Sequence, residues 1–342
     1  MVTDPVRFHE GNLWSTPIRD LGLRIEGTRL EPIITEFERE LESVAITRLR
    51  PRCYLSTEWG VPFETIAIAI PFYLARPDLT ALHAERDGYV EGFDRADILR
   101  YLRHEMGHVV NYAYKLYDDE EWVKQFGSIT QPYSEEYRPE PFSRRYVRHL
   151  PGWYAQKHPD EDWAETFAVW MTPALDWKGE YGGWPVASAK LAYCERVMAS
   201  LAERDPLVTD TELDEDVGEI EYSLDQYYHD PADALGELPP GLDGALRAIF
   251  QDLGAGDDTP PVALRPAAEL IRRLEPELMG NVFRWTGHFP ERTRVLLRYL
   301  AERGAQLNQG YAPARETSAV VGLTTLVTGL AMNYVQRGSY LP

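Results

Sequence analysis

Five residues, His104-Glu105-Met106-Gly107-His108, constrain this chain more than any other stretch. On a helix, positions four apart share a face. Both imidazoles of an H-E-x-x-H run can then reach one metal ion, with the intervening glutamate beside it. A chance match is expected about once in fifty chains of this composition, so the surroundings must predict a helix and supply a third ligand. They do predict the helix. In FDRADILRYLRHEMGHVVNYAYKLY, Asp94 serves as N-cap and Asp97 sits in a first turn that favours acid. Ile98, Leu102, Glu105, Val109, Tyr112 and Leu116 recur at spacings of three or four, so the face carrying Glu105 is the buried one. A glutamate buried between two histidines is costly without a metal or a partner, which argues against two incidental core histidines.

The third ligand must be sought among His and carboxylate, because Cys53 and Cys194 have no partner at zinc-site spacing. Cys194 falls on the apolar stripe Ala187, Leu191, Cys194, Met198, Leu201 of a helix opening at Pro185, and is read as core. The turns after His108 carry Asn111 and Tyr114, which excludes a metzincin-type completion by Gly and His. A glutamate from a later helix remains. In LPGWYAQKHPDEDWAETFAVWMTP, Asp160 can cap a helix with an acidic first turn that Pro173 ends. Glu161 and Glu165 share one face, and Trp163, Phe167 and Trp170 form the apolar stripe. This Glu-x-x-x-Glu spacing fits a gluzincin-type completion, in which one acid binds the metal and the other orients a ligating histidine.

The pair RHEMGH and HPDEDWAETFAVW resembles the predicted bacterial zinc-binding metallopeptidases, with their arginine-led HExGH followed by a HPxEDWAET helix. More distantly, the order HExxH, Tyr, Glu, Glu is similar to the catalytic domains of lethal-factor-type toxins and Pro-Pro endopeptidases. The resemblance covers roughly residues 45–200. It implies His104, His108 and Glu161 as zinc ligands, Glu105 as general base and Glu165 as the partner of a ligand histidine, with Glu165 the alternative ligand. It also implies Tyr154, seven residues before Glu161, as the hydroxyl facing the substrate oxyanion. Tyr146, His149 and His158 are alternatives in the same stretch. The implied activity is zinc-dependent hydrolysis of peptide bonds. The alternative is a zincin-fold binding or regulatory protein that holds zinc without cleaving.

The rest of the chain predicts an α+β protein. A zincin-like catalytic domain, a small mixed sheet with the motif helices, is expected over residues 1–204. An acidic linker or lid containing TDTELDEDVGEIE follows over 205–239, and an all-helical domain over 240–342. Leu30, Ile33, Ile34, Phe37 and Leu41 mark a helix over 29–43. Ile66, Ile68 and Ile70 alternate with Ala67 and Ala69 in a strand whose small face admits close packing. By resemblance, that strand would pair with the substrate backbone. Residues 118–148 read as a long irregular connection with a short helix. Helices are expected at 242–253, 266–274, 276–285, 290–303 and 315–336. The last, TSAVVGLTTLVTGLAMNYV, has the length of a membrane anchor, but its threonines, glycines and Asn333 favour the centre of a helical bundle.

A net charge of -20 argues against nucleic acid or an anionic membrane as partner. The start lacks a basic segment followed by an apolar run, and two cysteines make no disulfide framework, so a reduced cytoplasmic chain is expected. The expected partners are a peptide or protein substrate and a protein docking on the C-terminal helices.

Overall fold

The computed structural model describes residues 13–134, 137–228, 241–253 and 264–340. It is a mixed α+β structure built around two main apolar cores. Helix α1 (Leu30–Ser43) buries Leu30, Ile33, Phe37 and Leu41, the stripe its periodicity predicts. Strands β1 (Arg52–Ser56) and β2 (Ala67–Pro71) pair in parallel, Cys53 opposite Ile68 and Leu55 opposite Ile70. Ile66, Ile68 and Ile70 enter the first core, while Ala67 and Ala69 turn to a separate cluster with Tyr54. The small face makes room for chain. Leu213 packs there, Ile66 N donates to Asp210 O at 2.8 Å, and Val217 N donates to Leu55 O at 2.9 Å. Val217, Ile220 and Leu224 are buried in the first core, so this part of the acidic stretch is laid on that core. Residues 229–239 of the stretch lie outside the described residues.

The strand expected to receive substrate is not an open edge. Ala69 N donates to Gly60 O at 2.8 Å, because the TEWGVP turn folds back along β2. The rim beside the motif helix is therefore formed by Trp59, Gly60 and Val61.

Helix α2 (Arg95–Tyr114) carries the motif, and the Asp94 side chain caps it by accepting from Asp97 N at 2.9 Å. Arg103, the arginine leading RHEMGH, grips Glu40 of α1 through two hydrogen bonds of 2.8 and 2.7 Å. Helix α3 (Pro159–Met171) crosses α2 at Gly107. A Cβ on Gly107 would lie 2.6 Å from Ala164 Cα, and Trp163 Nε1 donates to Gly107 O at 2.8 Å. The glycine inside the motif thus permits the approach that brings the two helices' carboxylates and imidazoles together. The cap of α3 is His158, with Pro159 at the first helical position, so Asp160 is released from the capping role expected of it. Helix α4 (Pro185–Leu201) buries Cys194 in the first core.

The second core is formed by α5 (Ala267–Thr286), α6 (Pro290–Gln306), α7 (Glu316–Arg337) and the short helix Asp243–Ile249. Three expectations need correction. The helices expected at 266–274 and 276–285 are one, with Pro276 inside it. A proline deletes one ladder bond, and burial of Leu270, Ile271, Leu278 and Met279 along one side holds the helix together across it. The region is not all-helical, since Gln251–Asp252 and Arg265–Pro266 flank Gln309–Tyr311 in an antiparallel sheet. Finally, α7 is not central. It buries the stripe Ala319, Leu323, Val327, Leu330, Ala331 and Val335, while Val321 is exposed. The segment Pro313–Arg337 is long and apolar enough to cross a membrane by length and composition, and 33% of its apolar window is buried.

Candidate metal centre

The α2–α3 crossing brings together five titratable side chains, His104 and His108 of α2 with Asp160, Glu161 and Glu165 of α3. His104 turns Nδ1 to Glu165 at 3.0 Å, and His108 turns Nδ1 to Asp160 at 2.9 Å. The network therefore assigns each imidazole proton to Nδ1, facing a carboxylate, and leaves both Nε2 lone pairs pointing inward. The two Nε2 atoms lie 3.2 Å apart, and Glu161 Oε2 stands 3.0 Å from one and 3.3 Å from the other. One ligand atom from each of His104, His108 and Glu161 falls within 4.8 Å of the others, and all three residues are buried. Two lone pairs and a carboxylate oxygen so placed repel one another unless a cation or a proton lies between them. Two imidazoles oriented by carboxylates, with one carboxylate ligand, are a donor set that suits zinc.

In the metal-free chain, protons do this work. Burial disfavours the charged form of His104, but the hydrogen bonds it donates to Glu161 and Glu165 outweigh it and raise its pKa to about 9. His108 is likewise raised, burial being overcome by Asp160 and Glu161. Burial also opposes the charge of Glu161, yet His108 and His104 hold it well below the usual carboxylate range.

The remaining residues complete the surroundings. Glu165 accepts from the backbone N–H groups of His149, at 2.9 Å, and Leu150, at 3.0 Å, which fixes it against His104. Asp160 accepts from Tyr112 at 2.5 Å and Asn111 at 2.6 Å besides His108. Glu105 is buried, and burial raises its pKa while His104 and His108 pull it back. It lines a cleft of about 370 Å³ together with Trp59, Tyr133 and Tyr154.

Tyr154 sits on an irregular turn where Gly152 and Trp153 both take positive φ, and its ring packs on His104 with centroids 5.5 Å apart. Burial raises its phenol pKa well above normal, so it stays protonated. Of the three alternatives to Tyr154, His158 also lines the cleft, and each has another partner. His149 turns Nε2 to Arg100 O at 2.8 Å, His158 caps α3, and Tyr146 lies against Lys190 with Nζ 4.4 Å from its ring centroid.

Two participants escaped the sequence. Asp160 reads as an ordinary cap until Pro159 is recognised as the first helical residue, which moves the cap to His158. Tyr133, in the long connection, donates to Glu161 Oε1 at 2.6 Å and lies 3.3 Å from the Tyr154 hydroxyl. Nothing in the local pattern of that connection marks it out. Asp162, between the two glutamates, faces away and pairs with buried Lys190 of α4 at 2.5 Å.

A helix bearing HExxH, crossed by a second helix that presents glutamate to both histidines, makes a triad that could hold a metal ion. Residues 85–188, under a third of the chain, match the family described as "Putative zinc-binding metallo-peptidase". Neither a curated protein nor a solved structure matches the chain.

Proposed function

We propose that the chain is a zinc-dependent peptidase whose zincin-like catalytic domain spans residues 1–204, with Glu105 as general base. The observation that carries this reading is the convergence of His104, His108 and Glu161 in a cleft that Glu105 also lines. Zinc held by those three residues would polarise a substrate carbonyl and acidify a water molecule. The chain's own groups do the rest. Glu105 takes a proton from water as its oxygen bonds to the carbonyl carbon, then gives that proton to the amine as the C–N bond breaks. Its raised pKa suits both halves of that transfer. The Tyr154 phenol donates to the oxyanion that develops, and its protonated state supports that role. Glu165 and Asp160 hold the imidazoles with Nε2 turned inward. Residues 240–342 form a second domain in this reading.

Glu105→Gln tests it. The variant should keep zinc and the fold while peptide hydrolysis falls by about 10²–10⁴-fold. Full hydrolysis by that variant would refute the role of Glu105.

A further inference from the structure

A second chamber, of about 340 Å³, shares Trp59, His104, Glu105 and Tyr154 with the metal-site cleft, so the two spaces meet at Glu105. One wall comes from the C-terminal half: Phe283, Phe289, Pro290 and Glu291. That wall is fitted closely to the site. Phe283 lies against Gly152, two residues before Tyr154, where an added Cβ would fall 2.6 Å from the phenylalanine ring. Gly152 has φ of +82°, so both its backbone and its neighbour require glycine. Phe289 packs edge-on to Tyr137, their centroids 6.2 Å apart.

The lining has one sign of charge and a particular texture. Among the described residues, Glu58, Asp87, Glu91 and Glu291 face it besides Glu105, against Lys157 as its one lysine or arginine. His83 also lines it and is paired with Asp87 at 3.0 Å. Between the carboxyls stand aromatic faces, with Trp59 and Tyr101 stacked at 5.3 Å and Tyr89 alongside. Burial pushes the Glu91 carboxyl up to about 7 despite a hydrogen bond from Tyr101, and the charges of Glu105 and Glu291 push the same way. A carboxylate in that balance is stabilised by an arriving positive group. An anion would be repelled, and an apolar group would strip water from several carboxyls without replacing it. An ammonium or guanidinium group satisfies both carboxylates and ring faces.

We propose that this chamber receives a positively charged group of the substrate, a lysine or arginine side chain or a free amino terminus, and directs cleavage to bonds beside it. The inference rests on the peptidase reading above, which it narrows to a substrate class.

The test uses the zinc-loaded full chain and peptide pairs that differ only by lysine or its uncharged isostere norleucine, each with a free or acetylated amino terminus. The charged member of a pair should be cleaved with kcat/KM higher by about tenfold or more. Discrimination between lysine and norleucine assigns the chamber to a side chain, and discrimination between the free and the acetylated peptide assigns it to the amino terminus. A Glu91→Gln/Glu291→Gln double variant should bring the ratio towards one. Should that variant fail to fold, Glu291→Gln alone, at an exposed position, should lower the ratio. Equal cleavage of all four peptides by the unaltered chain, or a preference unchanged by the substitutions, overturns the inference and leaves the peptidase reading standing. If no peptide is cleaved, calorimetric binding of the same peptides decides. Selective binding of the charged members, lost in the variant, sustains the chamber while the peptidase reading falls. Absent or unselective binding overturns the inference as well.

Discussion

Two buried histidine sites in this molecule make opposite use of the same side chain. His104 and His108 each set Nδ1 on a carboxylate, and a third carboxylate faces both Nε2 atoms. His288, in the C-terminal half, is as deeply buried but set between hydroxyls, Thr293 at 2.7 Å and Tyr340 at 2.8 Å. Burial, with Arg292 adding to it, lowers its pKa to about 4, whereas His104 is raised to about 9. Carboxylate neighbours make a buried imidazole an electron-rich site that needs a cation, and hydroxyl neighbours make it a neutral strut. Burial alone therefore does not identify a functional histidine; the partner on its second nitrogen does.

The comparison depends first on the helix crossing that delivers the carboxylates. Gly107→Ala drives a methyl group into the Ala164 backbone, so it should destabilise the protein by about 3 kcal/mol in denaturant melts and weaken zinc binding with it. Unchanged stability would mean the crossing is looser than this contact implies. The orienting carboxylates come next. Asp160→Asn and Glu165→Gln should each weaken zinc by about 10–100-fold in chelator competition, Asp160→Asn acting through His108 and Glu165→Gln through His104.

The smallest effect concerns pH. The unfolded chain takes a proton on His288 below about 6.5, while the folded chain resists until about 4. Stability from His288 is thus present above 6.5 and is lost as pH falls towards 4, by about 1–2 kcal/mol between pH 7 and 5. In His288→Gln this part of the acid slope should disappear. In the metal-free chain His104 slopes the other way, its contribution full below 6.5 and lost as pH rises through about 9.

Much of the centre was legible because the constraint is local. Spacing of four puts His104 and His108 on one face, Glu161 and Glu165 obey the same rule, and each helix also carries its own apolar stripe. What was not legible depends on contacts between distant segments. Tyr133 reaches Glu161 from a connection with no periodicity, and the Gly60 backbone covers a strand that looks open by its own alternation. Pro276 illustrates the reverse error, a breaker overruled by packing on both sides of it. The acidic stretch misled through composition. Its charges face outward, while a few apolar residues among them, Leu213, Val217, Ile220 and Leu224, fasten it to the sheet and first core.

Metal analysis of the purified protein decides whether the four-residue spacings build a zinc centre. One zinc per chain is expected, removed by a strong chelator, restored on adding zinc, and absent when Glu161 and His108 are replaced by alanine together. A chain that purifies without zinc, and that fails to take it up when zinc is supplied at neutral pH, would contradict it.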